Sequence, residues 1–365
     1  MTDNLIKSTA FGILWTGSFQ FSVQGFRFIV IIILARLLHP EDFGLLGLAA
    51  IFIGFISGIN ELGLSAAIIQ KKIIEEEHLS TSFWASVATG IILFLFTILI
   101  SPYVADFFNE DLVEPLLILN SIGFIISSFS VVHRAQLEKN FIFKKISIVE
   151  IIAACCSGIF SIAMAAAGYG VWSLVLGGLF GNLISVIILW KIFSWRPSLT
   201  FSFTHFKELF YFGGNVMSSR ILNYIESNID FIIIGKMLSA LAFGYYSFAY
   251  NLVLFPLRKV SIIVTRVVFP AFSIIQDDNE ILRKGYLKTV RYISLITFPM
   301  LSGLFVVAPE FITIIYGTKW APMIVPLQIL CLTGALHSIG HTVSTILLSK
   351  GHADIQFKWN FFSLI

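Results

Sequence analysis

Long apolar runs separated by short polar joints organise this chain from end to end. A helix that crosses a bilayer needs about 20 mostly apolar residues. Ten segments meet that requirement: 11–36, 43–67, 82–106, 113–134, 147–167, 170–193, 209–235, 240–264, 290–315 and 322–348. An eleventh begins near Ala353 and runs into the last residue. The pattern predicts an all-α polytopic membrane protein.

The basic residues test this count. With the N-terminus inside, the inner joints hold Lys7; Lys71 and Lys72; Arg134, Lys139, Lys144 and Lys145; Lys191, Arg196 and Lys207; Arg283, Lys284, Lys288 and Arg291; and Lys350 and Lys358. The outer joints hold only Arg36, Lys236 and Lys319, and one of them (Asp106, Glu110, Asp111, Glu114) is acidic with no base. This is the positive-inside asymmetry, and a miscounted helix would have inverted it downstream. Trp84, Trp172, Trp190, Trp195 and Trp320 fall near predicted helix ends, where amphipathic rings gather at membrane interfaces.

Two stretches 200 residues apart resemble each other: IVIIILARLLHPEDFGLLGLA at 29–49 and IDFIIIGKMLSALAFGYYSFA at 229–249. Apolar composition inflates the aliphatic matches. The Arg36/Lys236, Phe43/Phe243 and Gly44/Gly244 pairs, in one register at the same turn, are more telling. Six segments precede the joint RPSLTFSFTHFKEL (196–209), so the second half starts with the orientation of the first. The repeat is then parallel, about an axis along the membrane normal. The expected organisation is an N-terminal six-helix bundle over 1–195, a cytoplasmic linker over 196–208 and a C-terminal bundle over 209–365. The bundles are pseudo-symmetric around a central cavity. Equal halves would carry the second bundle to about residue 400, so it is expected to be truncated here.

Composition narrows the function classes. Hydrophobic residues make up 57%, charged residues 12%, and mean hydropathy is +0.90, more apolar surface than a soluble core can hide. A net charge of +3, spread by loop, gives no support to a nucleic-acid partner. Cys155, Cys156 and Cys331 lie inside apolar segments and match neither a metal spacing nor a disulfide framework. No cofactor motif appears: there is no Gly-rich phosphate loop, Ser/His/Asp set or Cys/His cluster, and no aqueous segment of domain size. The opening MTDNLIKSTAFG lacks a cleavable-signal pattern, so the first apolar segment is expected to stay as a helix.

Against this background the polar residues inside spans stand out. The first span carries Gln20, Gln24 and Arg27 on one stripe, and the seventh carries Arg220, Asn223, Ser227 and Asp230 on one stripe with Glu226 beside it. Ionisable groups at membrane depth face protein or water. Two readings stay open: Arg27 pairs with a carboxylate such as Glu61 and ties helices together, or the two stripes line a hydrated, cationic cavity suited to an anion. Asn60 and Glu61 in the second span, and Tyr250 and Asn251 in the eighth, extend such a cavity. Glu150 is placed to reach water. His337 and His341 are i, i+4 neighbours, but HSIGH lacks the glutamate of a zinc-protease helix, so packing or a cavity role is preferred to metal. Gly54/Gly58 and Gly177/Gly181 have the spacing of close helix contacts. The basic amphipathic segment 133–147 is expected along the inner face, in contact with anionic lipid, and the charge run 70–78 is expected to be solvated.

Four motifs carry a family resemblance: LARLLHPEDFGLLGLA (34–49), ELGLSAAIIQKK (61–72), GYGVWSLVLG (168–177) and IDFIIIGKMLSALAFGYYSFAYNLVLFP (229–256). The chain resembles the polysaccharide exporters of the multidrug/oligosaccharidyl-lipid/polysaccharide superfamily. Within it, the resemblance is to bacterial inner-membrane flippases for undecaprenyl-pyrophosphate-linked sugar repeat units. It implies twelve or more helices in two bundles that rock by alternating access, with helices 1, 2, 7 and 8 lining the cavity. It also implies no enzyme activity, no metal, and partners that are the lipid-linked oligosaccharide, membrane lipids, coupling protons or sodium ions, and polysaccharide polymerase machinery. Arg27, Arg220, Gln20, Gln24 and Asn223 would contact substrate, while Asp230, Glu226 or Glu61 could couple an ion. A multidrug or small-cation antiporter of the same superfamily is the nearest alternative; a membrane-embedded glycosyltransferase or polymerase is the enzyme alternative, disfavoured by the short outer joints.

Overall fold

The computed structural model describes residues 23–60, 62–275 and 278–350, and every regular element among them is helical. We label them α1 (23–37), α2 (Pro40–Asn60), α3 (Leu64–Gln70), α4 (Glu76–Phe108), α5 (Val113–Ser128) and α6 (Val131–Lys139). There follow α7 (Phe143–Ala166), α8 (Trp172–Ile192), α9 (Phe203–Met237), α10 (Ala240–Ile274), α11 (Asn279–Ile315), a 3-10 turn (Thr318–Met323) and α12 (Ile324–Ser349).

Each expected span coincides with helix over its described part, with two interruptions. Leu62 (φ 47°) and Gly63 (φ 64°) are both left-handed and break the second span into α2 and α3. The fourth bends by 48° between α5 and α6. Among the described residues six helical segments qualify by length and apolarity to cross a membrane, or seven with the α5–α6 pair. Helix α9 is long enough but does not qualify: it carries Arg220, Glu226, Asp230 and Lys236. A helix of that length and polarity cannot be surrounded by lipid on all sides.

Polar caps set the helix starts. The N-cap Glu75 accepts from the His78 amide, while the His78 ring accepts from the Glu75 amide at 3.3 Å. Ser202 and Asp278 cap α9 and α11 with their side-chain oxygens. The joint ahead of α9 is strapped to the first turns of α4. Trp84 Nε1 donates to the Ser198 carbonyl at 2.8 Å, the Ser198 and Ser202 amides donate to Ser80 and Thr81 hydroxyls at 3.0 Å, and Trp195 Nε1 donates to Glu76 at 2.8 Å. The tryptophans at these helix ends also pack on one another's neighbours. Trp84, Trp190 and Trp195 turn inward around Phe83, with ring centroids 5.3, 6.0 and 6.3 Å away, and His133 stacks on Trp190 at 4.9 Å.

By contacts the chain divides into residues 1–240 and 241–365. Helix α9 belongs to the first group because a glycine seam joins it to α2, α3 and α4. At one end Gly63 and Gly213 meet backbone to backbone: a Cβ on Gly213 would lie 2.6 Å from the Leu62 carbonyl oxygen. Midway, Tyr224 lies over Gly54 and donates to the carbonyls of Ile51 at 2.8 Å and Ala50 at 3.3 Å. At the other end Gly235 receives Leu48 and Phe108, Glu110 accepts from the Ala240 amide at 3.0 Å, and the Lys236 ammonium sits 5.1 Å from the Phe107 ring. Gly177 and Gly181 admit Ser161 and Ser157 of α7 in the same way.

In the second group, Trp320 and Tyr316 are fully buried with Phe248, and Tyr245 donates to the Lys319 carbonyl at 3.0 Å. Helices α11 and α12 pair through Thr297 and Ser338 (3.1 Å), and Gly334 faces Val253 and Leu257 of α10.

The internal repeat is visible in local structure. Helix α1 ends at 37, residues 38–39 are non-helical, and α2 starts at Pro40; α9 ends at Met237, 238–239 are non-helical, and α10 starts at Ala240. Pro40/Ala240, Gly44/Gly244, Leu48/Phe248 and Ala49/Ala249 are buried in both copies.

Candidate substrate-facing stripes on α1 and α9

Helix α9 presents three faces. Leu209, Gly213 and Gly235 are buried and, with Tyr224, form the packed face. Tyr211, Leu222, Ile225 and Ile233 form an exposed apolar face, 83%, 65%, 38% and 53% accessible, as contact with lipid tails requires. The third face is polar: Ser219, Asn223, Glu226 and Ser227 are exposed, and Asp230 is half-buried, its Oδ1 accepting from the Phe231 amide at 2.9 Å. Arg220 is exposed at the edge between the packed and polar faces, two turns beyond Gly213 and one turn before Tyr224.

Helix α1 repeats the arrangement. Val30 and Leu34 pack on Ile162 and Ala165 of α7, with Leu38 in the same cluster, while Phe28, Ile29 and Ile33 point away and are exposed. Arg27 lies two and three turns before Leu34 and Leu38 on their stripe, not on the side of Ile29 and Ile33. It is nevertheless exposed, and Gln24 beside it is half-buried. The stripe is thus buried at the Leu34–Leu38 end and exposed at the cationic Arg27 end.

Magnitudes favour water over lipid beside these charged side chains. An ionised side chain at the bilayer centre costs about 2.5–3.5 kcal/mol even on the mildest scale, so Arg27, Arg220, Glu226 and Asp230 would together cost about 10 kcal/mol or more in lipid. That is comparable to the whole stability of a typical domain.

Of the other candidates, Gln20 and Glu61 lie outside the described residues, so neither the ion-coupling role of Glu61 nor its pairing with Arg27 has a described geometry. Asn60 is 5% exposed and its Nδ2 donates to Ser127 at 3.0 Å; it is a joint between α2 and α5 and not a cavity wall. Asn251 is exposed but donates to the Ser247 carbonyl of its own helix at 2.8 Å. Glu150 pairs with Arg134 at 2.5 Å, beyond simply reaching water. His337 is exposed, and the His341 side chain lies outside the described residues.

The run 70–78 departs most from expectation. It is not merely solvated: His78 is 3% exposed and, with Lys71, holds Glu208 of α9. Sequence reading missed His78, His205, Glu208 and Tyr224. The small residues at Gly54 and Gly58 signalled a close partner for α2, but nothing in the sequence names Tyr224 as that partner.

The family described as "Polysaccharide biosynthesis protein" matches residues 33–325. The chain is 31% identical over 365 residues to the lipopolysaccharide biosynthesis protein WzxC of Escherichia coli (strain K12), covering 98% of this chain and 73% of that protein. It is 33% identical over 313 residues to the teichuronic acid biosynthesis protein TuaB of Bacillus subtilis (strain 168), covering 84% and 64%. The chain thus spans about two thirds to three quarters of these relatives. Among solved structures it is similar to the lipid II flippase MurJ in an inward closed conformation, with a TM-score of 0.72, 16% identity, and 93% and 77% of the two chains covered. An inward-facing multidrug resistance MATE transporter of the MOP superfamily gives a TM-score of 0.68 at 16% identity, with 93% and 84% covered. These two likenesses show the fold.

Proposed function

The chain belongs to the polysaccharide biosynthesis protein family, and from that premise we propose that it is a membrane transporter, not an enzyme, that flips lipid-linked oligosaccharide units by alternating access. The observation that carries the reading is the polar third face of α9, exposed yet turned away from the apolar face that meets lipid. A sugar-pyrophosphate headgroup needs a hydrated path with cations on it, which Arg220 at the edge of this face and Arg27 on α1 supply, and its prenyl tail needs the lipid beside it. Arg27 and Arg220 supply guanidinium groups that stay charged and fork onto phosphate oxygens. Gln24, Asn223 and, in its expected place on the α1 stripe, Gln20 supply hydrogen bonds to sugar. Asp230, Glu226 or Glu61 take up the coupling proton or sodium ion.

The finer placement is part of the same proposal: the charge pattern supports a cytoplasmic N-terminus, the repeat supports two bundles divided near 196–208, and the family resemblance supports the bacterial inner membrane and a polymerase machinery that receives the product. The likeness to a multidrug transporter speaks for the fold alone at 16% identity. The test is surface polysaccharide made by cells carrying single variants. Arg27→Ala or Arg220→Ala should abolish it at unchanged protein level, lysine should restore it in part, and glutamate should not. If instead Arg27→Ala lowers protein abundance and removing a carboxylate such as Glu61 restores it, Arg27 is helix glue and the reading fails at that residue.

A further inference from the structure

The end of the first group that collects Lys71, Lys72, Lys139, Lys144 and Lys145 also holds a cluster of opposite character. Glu75 and His78 come from the N-cap and first turn of α4, and His205 comes from the first turn of α9, 127 residues further along the chain. One ligand atom from each lies within 4.8 Å of the others. We propose that Glu75, His78 and His205 form a binding site for a divalent cation of the zinc class, which ties α9 to α4.

The distances suit the ion. Glu75 Oε2 is 3.6 Å from His205 Nε2 and 4.0 Å from His78 Nδ1. A tetrahedral ion with bonds of about 2.0–2.2 Å spaces its ligand atoms about 3.3–3.6 Å apart, so side-chain shifts on the order of 1 Å bring these three atoms, which lie within 4.8 Å of one another, around it. Two imidazoles and one carboxylate with a position left open is a donor set that zinc favours.

The outer nitrogens give a second, independent indication. A metal-bound histidine usually donates its other ring N–H to a carboxylate, which fixes the tautomer and the ring. Here the His78 ring has that partner, and the His205 ring has a carboxylate close by. His78 Nε2 is 3.2 Å from Glu208 Oε2, and His205 Nδ1, a buried atom without a hydrogen-bond partner among the described residues, is 3.4 Å from Glu77 Oε2. Each imidazole therefore turns one nitrogen to the shared carboxylate of Glu75 and the other to a carboxylate of its own. The rings meet edge to face with centroids 4.1 Å apart, and His78 is 3% exposed, so one member is fixed in place.

Charge points the same way. Three carboxylates, Glu75, Glu77 and Glu208, face one ammonium, Lys71, which is paired with Glu208. A dication at the cluster would balance the carboxylates that Lys71 alone does not. His78 Nδ1 now receives the Glu75 amide at 3.3 Å. That long bond would be given up to the metal, and water can serve an amide at an exposed helix N-cap.

The test is metal binding by the untagged full chain in detergent, stripped with a chelator and titrated with Zn²⁺, with Co²⁺ absorption as a second probe. One Zn²⁺ per chain is expected. His205→Ala and Glu75→Gln should lose it, whereas Glu77→Gln and Glu208→Gln should keep the stoichiometry and weaken affinity about 10–100-fold. His337→Ala, at a histidine that is not a member of the cluster, should leave binding unchanged. Zn²⁺ should also raise the melting temperature of the wild type and not of His205→Ala, a variant at a side chain 21% exposed that the fold can bear if buried His78→Ala cannot fold. Absence of saturable Zn²⁺ binding by the folded wild type, or wild-type affinity in His205→Ala, overturns the proposal. Neither readout involves transport, so the site and the transport reading stand or fall separately.

Discussion

Neighbouring glycines in α9 should respond to the same substitution with opposite signs. Gly213 faces the backbone of the α2–α3 break: a Cβ there would lie 2.6 Å from the Leu62 carbonyl oxygen and 3.1 Å from the Gly63 carbonyl carbon. Backbone atoms cannot swing aside, so α9 must back away from the break. Overpacking of this kind costs about 1–3 kcal/mol, against a helix-propensity gain of about 0.8–1.0 kcal/mol for Ala over Gly. Gly213→Ala should therefore be neutral to about 2 kcal/mol destabilising. Gly214, one residue on, would place its Cβ 3.6 Å from Phe210, an ordinary contact with its own helix. Gly214→Ala should keep the whole propensity gain and stabilise by about 1 kcal/mol. Gly63→Ala should be the worst of the three. Its Cβ would fall 2.0 Å from the Gly213 carbonyl oxygen, and a left-handed residue with a Cβ costs roughly 1–2 kcal/mol more. Thermal unfolding of the three variants in one detergent gives the ranking directly. A Gly213→Ala protein as stable as Gly214→Ala would refute the seam.

Two further outcomes are expected. Single cysteines at Asp111 and Lys319, in a background without Cys155, Cys156 and Cys331, should label from outside intact cells, and cysteines at Lys139 and Lys284 should not; external labelling of the second pair would overturn the inward start. Hydrogen bonds from Lys71 and His78 hold the Glu208 carboxyl below its ordinary value of 4.5, so this clip is fully stabilising above that pH and is lost as pH falls through the lowered value. Melting temperatures of the wild type and Glu208→Gln should accordingly converge on acidification below 4.5; a gap that widens there would contradict the clip.

The spans and the repeat were legible because both rest on local pattern. Hydrophobic length predicts helix, and the Arg36/Lys236 and Phe-Gly register located a break that recurs at 38–39 and 238–239. The polar stripes were legible for the same reason, since helical periodicity fixes which residues share a face. What covers each stripe was not. Asn60 looked as polar as Asn223, yet one is sealed against Ser127 and the other is exposed, a difference made by α5, which no local pattern in α2 encodes. The His/Glu cluster was invisible for a stronger reason: its members are separated by 127 residues and meet only when the joint before α9 is strapped onto α4. The apolarity of α9 was overestimated because a window average does not register which face each polar residue occupies.

Flipping by the purified full chain in vesicles tests the central claim most directly. A prenyl-pyrophosphate-linked oligosaccharide is placed in both leaflets, and an external glycosidase removes the sugar it can reach. With the wild type, digestion should proceed past the outer-leaflet half toward completion. With Arg27→Ala and Arg220→Ala combined it should stop at that half. Digestion that stops there for the wild type, or runs to completion for a folded double variant, would contradict the account.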